Sequence, residues 1–361
     1  MSISHRLKSF IAAGDASHVL VLRLEDIRWL TGFSGSTAFM VVNRQDESLQ
    51  LFVDSRYVER AHHQVQRAGS SAAVIETISG ASLVETLSPF VQGEIALDFH
   101  HVTAARHREL AGAFHVVEEA GLFNQLRRIK DSSEIATMEH AAHIADLALA
   151  SVINEGVVGE SEKQVRNRID AALRHFGADA VAFDTIVATG PNGARPHHEP
   201  SDALIENGHA VVIDMGAEVD GYRSDMTRTI QVGRWDSEIS EMYRIVKEAQ
   251  EAGVAAVCNG VVGSDVDGAV RQVFRREGVE HEYLHGTGHG VGLYIHEEPI
   301  MSPRCSAVLS EHEVVTVEPG LYRKGVGGVR IEDQVVVTGT GCRILTLSPK
   351  ELSCPRSQRT I

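Results

Sequence analysis

Over residues 18–99, short apolar runs alternate with polar stretches of helical character. HVLVLRL (18–24), STAFMVV (36–42) and SLQLFVD (48–54) have the composition of strands, as do AVIETI (73–78) and EIALDF (94–99). Between them, SRYVERAHHQVQRAG (55–69) predicts a helix closed by Gly69. This alternation predicts an α/β domain over residues 1–125. The pattern then changes. Asp131 stands three residues before Glu134, and Ser161 three before Gln164. Each pair is a capping-box arrangement that opens a helix. Helices are predicted near 132–153 and 162–176, then strands over 181–232, then helices near 237–259 and 265–276, then strands over 284–338. Residues 126–361 therefore read as an α+β domain of two similar halves, helices outside and strands inside.

Composition narrows the function. The chain has 361 residues, with 34 Lys plus Arg against 49 Asp plus Glu, a net charge of −15. That balance argues against nucleic acid and anionic membrane as partners. The four cysteines, Cys258, Cys305, Cys342 and Cys354, show no CxxC spacing. A reduced, cytoplasmic setting is expected. No apolar run approaches the ~20 residues of a spanning helix, and the N-terminal stretch lacks a signal core.

The acidic residues carry the chemistry. In HAVVIDMGAEVDGYRSDMTRTIQV two β-rich runs flank Asp220-Gly221, a hairpin turn. With that pair as the loop, Val219 faces Tyr222 and Asp214 faces Thr227. Asp225 lies two residues from Thr227, so Asp214 and Asp225 are diagonal neighbours on one face, roughly 7–8 Å apart. A surface hairpin with an Asp paired to Arg223 or Arg228 is an equal reading of this segment alone. Glu318 in EVVTVEPGLY and Glu332 in GGVRIEDQVVVT also sit among β-branched residues, where an unpaired charge is costly. HGTGHGVGLYIHEEP adds His285, His289 and His296 among four glycines. Four carboxylates balance two divalent cations. Oxygen-rich ligation with one imidazole suits Mn²⁺, with Co²⁺ or Zn²⁺ as alternatives. Two such ions about 3.5 Å apart would activate a water for attack on a carbonyl.

Taken together, DIRWLTGFSGS, FVDSRYVERA, FDTIVATGPNGARPHH, VIDMGAEVDGYRSDMTRT, HGTGHGVGLYIHEEP, VTVEPGLY and GGVRIED resemble the metal-dependent Xaa-Pro peptidases of the pita-bread (creatinase/aminopeptidase-like) fold, prolidase and aminopeptidase P. The resemblance implies Asp214, Asp225, His289, Glu318 and Glu332 as metal ligands, with Asp225 and Glu332 bridging. It implies His296 and His197 as stabilisers of the tetrahedral intermediate and His285 as a pocket residue. Glu318 would also carry the proton from the attacking water to the departing proline nitrogen. Tyr322 and Arg330 would orient ligand carboxylates, a role Thr227 and Tyr222 could share or leave for an ordinary strand face. His198 and His281 have no counterpart and are expected to be solvated or merely hydrogen-bonded. Substrates would be small proline-containing peptides, and family members are commonly homodimers. Arg304 lies fourteen residues before Glu318, where prolidases carry a carboxylate-binding arginine. That spacing favours a dipeptidase, with an exposed loop arginine as an equal reading of the residue. LTGFSGS also looks like the small bacterial aminopeptidases P, so that branch stays open. A catalytically silent binding module of the same fold has no reason to keep all five ligands. Methionine aminopeptidase lacks the extra N-terminal domain and the PHH motif.

Overall fold

A computed structural model describes residues 3–354. The chain divides into two compact units, Met1–Arg127 and Arg128–Ile361.

The first unit is a six-stranded mixed sheet with helices α1 (Ile3–Ala12), α2 (Leu24–Thr31), α3 (Val58–Ala68), α4 (Leu83–Leu87), α5 (Ala104–Ala111) and α6 (Leu122–Arg128). Its strands are β1 (His18–Val21), β2 (Phe39–Asn43), β3 (Ser48–Val53), β4 (Ala73–Glu76), β5 (Glu94–Leu97) and β6 (His115–Glu118), in the order β4-β3-β2-β1-β5-β6. One expectation needs correction. The strand expected over 18–24 stops at Val21, because Leu24 already begins α2. Glu25 and Asp26 occupy that helix's first turn, where carboxylates favour the positive end of the dipole, and Gly32 closes it with a left-handed backbone. Ile27, Trp29 and Leu30 are the residues it buries.

The second unit holds α7 (Ser132–Glu155), α8 (Glu162–His175), α9 (Ser237–Ala256) and α10 (Gly263–Arg276). Both capping boxes form: Asp131 and Ser161 accept from the N3 backbone, and Glu134 and Gln164 reach back. Strands follow each helix pair. The first set is β7 (Ala180–Val181), β8 (Ile186–Thr189), β9 (Ala210–Met215), β10 (Ala217–Val219), β11 (Tyr222–Arg223) and β12 (Met226–Val232). The second is β13 (Gly288–Gly290), β14 (Glu297–Met301), β15 (Val314–Val317), β16 (Gly320–Arg323), β17 (Gly327–Arg330), β18 (Asp333–Thr338) and β19 (Gly341–Ile344), with β20 (Ser353–Cys354) last. They form a sheet β20-β12-β9-β8 and a sheet β14-β13-β15-β18-β19, with small sheets β11-β10-β7 and β16-β17 beside them.

Alternation along the strands decides what faces what. Val211, Ile213 and Met215 of β9 and Met226, Ile230 and Val232 of β12 share a core with Ile144, Leu149 and Ile153 of α7 and Val165 and Ile169 of α8. Asp214 and Thr227 fall on the opposite face. In the other half Val315, Val317, Val335 and Val337 pack with Val257 and Val266 beside α9 and α10. Thr316 and Gln334 therefore point away from that core. In each half a helix pair covers one face of a sheet, and the opposite face carries polar residues, Asp214 and Thr227 in the first half and Thr316 and Gln334 in the second, beside apolar positions such as Val314 and Val336 that pack against α7.

Candidate metal centre

The β9–β12 hairpin has the expected register: Val219 pairs with Tyr222, and Asp214 with Thr227. It is not one continuous ladder, however. The pairing breaks at Gly216 and at Ser224-Asp225, and the tip peels away to join β7. A Cβ on Gly216 would lie 1.9 Å from the Ser224 carbonyl oxygen, so only glycine permits this approach. Ser224 closes the break by accepting the Ala217 N–H at 2.9 Å. Asp225 consequently stands in an irregular step just before β12, not within the strand.

His289 is the middle residue of β13. A Cβ on Gly288 would meet the Thr316 carbonyl oxygen at 2.0 Å, so glycine lets this strand press against β15. The His289 Nδ1–H donates to the Gly290 carbonyl (2.9 Å), which fixes the tautomer and leaves Nε2 as a free lone pair. Nε2 lies 3.5 Å from an oxygen of Asp225 and 3.5 Å from one of Glu318. Asp225, His289 and Glu332 offer donor atoms within 4.8 Å of one another. Glu318 follows β15, and Glu332 stands between β17 and β18.

One hydrogen-bonded chain braces this cluster. His285 Nδ1–H donates to the Gly286 carbonyl (2.8 Å), so its Nε2 accepts from the Tyr322 hydroxyl (2.8 Å). Arg330 donates to the Tyr322 oxygen (3.0 Å), to Thr227 Oγ1 (3.0 Å), to the Pro196 carbonyl (3.2 Å) and to Asp214 Oδ2 (2.7 Å). The Thr227 hydroxyl in turn donates a hydrogen bond to Glu332 Oε2 at 2.7 Å.

The electrostatics are unbalanced. Four carboxylates meet a single guanidinium, Arg330, among the described residues. Burial, then Glu332, Asp214 and Glu318, push the Asp225 carboxyl well above its ordinary range. Burial, then Glu318 and Asp214, do the same to Glu332. Glu318 is pushed up to about 8, chiefly by burial. Burial also lowers His289 and His285 to about 4 and lowers His296, which feels His197 as well. Burial raises the Tyr322 hydroxyl to about 12. Asp214 Oδ1 is buried and accepts no hydrogen bond. Such an atom, beside carboxylates that repel one another, needs a cation. The residues present fit divalent metal: hard oxygens and one imidazole lone pair converge on one point.

The cluster opens on a cavity of about 750 Å³. All five candidate ligands line it, together with His197, His285 and His296. The His296 ring stands edge-on to His289, with centroids 4.5 Å apart. Tyr222 is not part of the wall; its hydroxyl donates to Glu134 (2.6 Å). His198 is buried and hydrogen-bonded, and His281 is exposed.

Arg304 does not join the site. The chain turns just after β14, with the Cys305 N–H on the Ser302 carbonyl (3.0 Å), and this turn leaves Arg304 exposed and off the cavity wall. The cationic side chains that do line the wall, besides Arg330, are Lys163 and Arg166 on α8. Residue-by-residue reading also passed over Glu162, whose only local signal is its place directly after the Ser161 cap.

A model of metallopeptidase family M24 matches residues 136–339, and one of the creatinase/prolidase N-terminal domain matches residues 4–129. The chain is 33% identical to an Xaa-Pro dipeptidase of Pyrococcus furiosus over 96% of its own length and 98% of the relative's. Among solved structures it resembles an Xaa-Pro dipeptidase from Bacillus anthracis (TM-score 0.91, 33% identity, 98% of this chain and 99% of that one). It also resembles an X-Pro aminopeptidase from Thermotoga maritima (TM-score 0.86, 32% identity, 96% and 99%). Matched over more than half its length by the one model and through its first unit by the other, the chain belongs to metallopeptidase family M24, with a creatinase/prolidase N-terminal domain ahead of a pita-bread peptidase domain.

Proposed function

We propose that the protein is a dinuclear-metal Xaa-Pro dipeptidase that hydrolyses the peptide bond before proline in small peptides. One observation carries the reading: four carboxylates and the His289 lone pair converge, against one guanidinium, on a cavity faced by His197 and His296. Asp214, Asp225, His289, Glu318 and Glu332 would hold two divalent ions, manganese in preference to cobalt or zinc. When bound, such ions polarise the scissile carbonyl and lower the pKa of water.

The chain's own groups then do the rest. Glu318, a carboxylate on the cavity wall, would take a proton from water and deliver it to the proline nitrogen, which has none of its own. His197 and His296 stand on the cavity wall, where imidazole N–H groups would hold the developing oxyanion. Arg330, fixed by Tyr322 and Thr227, holds Asp214 in one orientation. We take the assembly to be a cytoplasmic homodimer, which a mass measurement in solution tests. Among the described residues no helix is long and apolar enough to cross a membrane.

The aminopeptidase reading keeps one supporting observation. Arg304, the residue meant to bind a dipeptide's free carboxylate, lies off the cavity wall. Chelated and Mn²⁺-reloaded protein, assayed side by side on an Xaa-Pro dipeptide and an Xaa-Pro tripeptide, decides between them. Preference for the dipeptide supports the proposal; turnover of the tripeptide alone replaces it.

A further inference from the structure

Glu162, the first residue of α8, stands outside the ligand cluster and is 0% exposed. Its carboxylate is nonetheless saturated. Oε1 accepts the Thr189 N–H (2.8 Å) and the Asn192 side-chain amide (3.0 Å). Oε2 accepts the Ser201 N–H (2.8 Å) and hydroxyl (2.6 Å), and lies 2.8 Å from His198 Nε2. Burial by itself would raise this carboxyl; the bonds from Ser201, Thr189, His198 and Asn192 outweigh burial and hold it below its ordinary value.

These donors are not scattered. Thr189 ends β8, Asn192 sits in the 3₁₀ turn Gly190–Ala194, and His198 and Ser201 follow Pro196. One carboxylate therefore ties together both ends and the middle of the segment 189–201. His197 lies inside that segment. It is exposed to the cavity, while its neighbour His198 is buried against Glu162. The segment has a second anchor in Arg330, which donates to the Pro196 carbonyl (3.2 Å). Between the two anchors the His197 backbone has little freedom.

We propose that Glu162 is a positioning residue that acts on turnover through His197: by gathering Thr189, Asn192, His198 and Ser201 around one carboxylate, it sets where the His197 imidazole stands in the cavity. The inference rests on the reading of His197 as an oxyanion stabiliser. Glu162 is not among the residues that line the cavity.

The test is a double-mutant cycle on the Mn²⁺-reloaded full chain, with an Xaa-Pro dipeptide as substrate. Glu162→Gln keeps the shape but turns an amide toward groups that are already donors. We expect kcat to fall about tenfold to a hundredfold, the cost of misplacing a catalytic group by about an ångström, with KM and metal content unchanged. In a His197→Ala background the same substitution is expected to cost nothing further. Ser201→Ala removes one hydroxyl donor and no charge. It is expected to lose less, again only when His197 is present, and it serves if Glu162→Gln fails to fold. An equal loss in both backgrounds, for either substitution, would overturn the proposal and leave Glu162 a purely structural residue. So would an unchanged kcat in Glu162→Gln. A fully active His197→Ala enzyme would instead remove the reading of His197 on which the proposal depends, and would show itself in that single variant alone.

Discussion

Two buried arginines, Arg228 in β12 and Arg330 at the end of β17, have different surroundings. Arg228 is 1% exposed and Arg330 is 4% exposed. Arg228 donates to the Ser348 carbonyl (3.0 and 2.8 Å), to the Thr227 carbonyl (3.0 Å), to the Glu332 carbonyl and to Asp333 (2.8 Å). Asp333 also accepts from Gln250 (2.8 Å), Lys350 (2.8 Å) and Thr346 (3.2 Å). Burial would raise the Asp333 carboxyl, but Arg228 and Lys350 hold it below its ordinary range. The charges of this network are answered within it, since both Arg228 and Lys350 pair with Asp333. Arg330, by contrast, meets Asp214 in a cluster of four carboxylates, and Asp214 Oδ1 is left without a donor. The residues concerned are sequence neighbours, Thr227 with Arg228 and Glu332 with Asp333. Chain alternation sends one of each pair into a balanced ionic core and the other toward the cavity. A buried network whose charges are balanced is architecture; one with charge left over is a binding site.

The largest effect is expected from the unbalanced side. Asp225→Asn should abolish turnover and lower Mn²⁺ affinity while the chain stays folded, because it removes one of the carboxylates that repel one another in the metal-free protein. Circular dichroism and metal analysis check both halves of that statement. On the balanced side the outcome should invert. Arg228→Ala leaves Asp333 buried with only Lys350 to answer its charge, and should cost about 3–5 kcal/mol of stability, the range for breaking one partner of a buried pair. Whatever protein remains folded should still bind Mn²⁺. Urea denaturation with a parallel metal assay separates the two.

His197→Ala and His296→Ala come next. Each should lower kcat about 10²–10³-fold with metal retained, as for loss of an oxyanion donor. His289→Ala should lose the metal instead. A His296→Ala protein that is stripped of metal beside a His289→Ala protein that keeps it would reverse the assignment.

How much of this was legible in the chain follows from distance along it. Asp220-Gly221 announces a tight turn, so the facing of Asp214 and Thr227 could be counted by hand. The step at Asp225 could not, because it depends on Gly216 meeting Ser224 across the hairpin. Glu318 and Glu332 could be singled out as charges among β-branched residues, but the Val317–Asp333 pairing that joins their strands spans the whole β16–β17 ribbon and has no local mark. Glu162 was invisible because its donors lie at 189–201. Arg304 shows the opposite difficulty. Its spacing to Glu318 was measured along the chain, and the turn after β14 carries it away.

A pH experiment on metal-free protein sharpens the contrast further. Glu318 has its folded pKa raised to about 8, so the folded state holds a proton that the unfolded state releases at lower pH. Stability from this group is complete below the unfolded value and is lost as pH rises toward 8. The metal-free melting temperature should therefore fall between pH 5.5 and 8, and bound Mn²⁺ should remove most of the slope. A flat metal-free profile would mean the cluster ionises freely. The smallest effect belongs to Arg304→Ala. With the side chain exposed and off the cavity wall, kcat/KM on an Xaa-Pro dipeptide and on the matching tripeptide should each stay within about twofold of wild type, in line with a surface substitution of less than about 0.5 kcal/mol. A selective loss on the dipeptide would restore it as the carboxylate reader.

The central claim is that the charge left over around Arg330 is the signature of two metal ions. Titration calorimetry of Mn²⁺ into chelator-stripped protein, in two buffers of different ionisation enthalpy, tests it directly. The expected result is two ions per chain with protons released on binding, since protonated carboxyls must give up their protons to become ligands, and weakened binding in Asp225→Asn. No uptake of Mn²⁺, Co²⁺ or Zn²⁺ by the wild-type chain, or the same two-ion isotherm in Asp225→Asn, would contradict it.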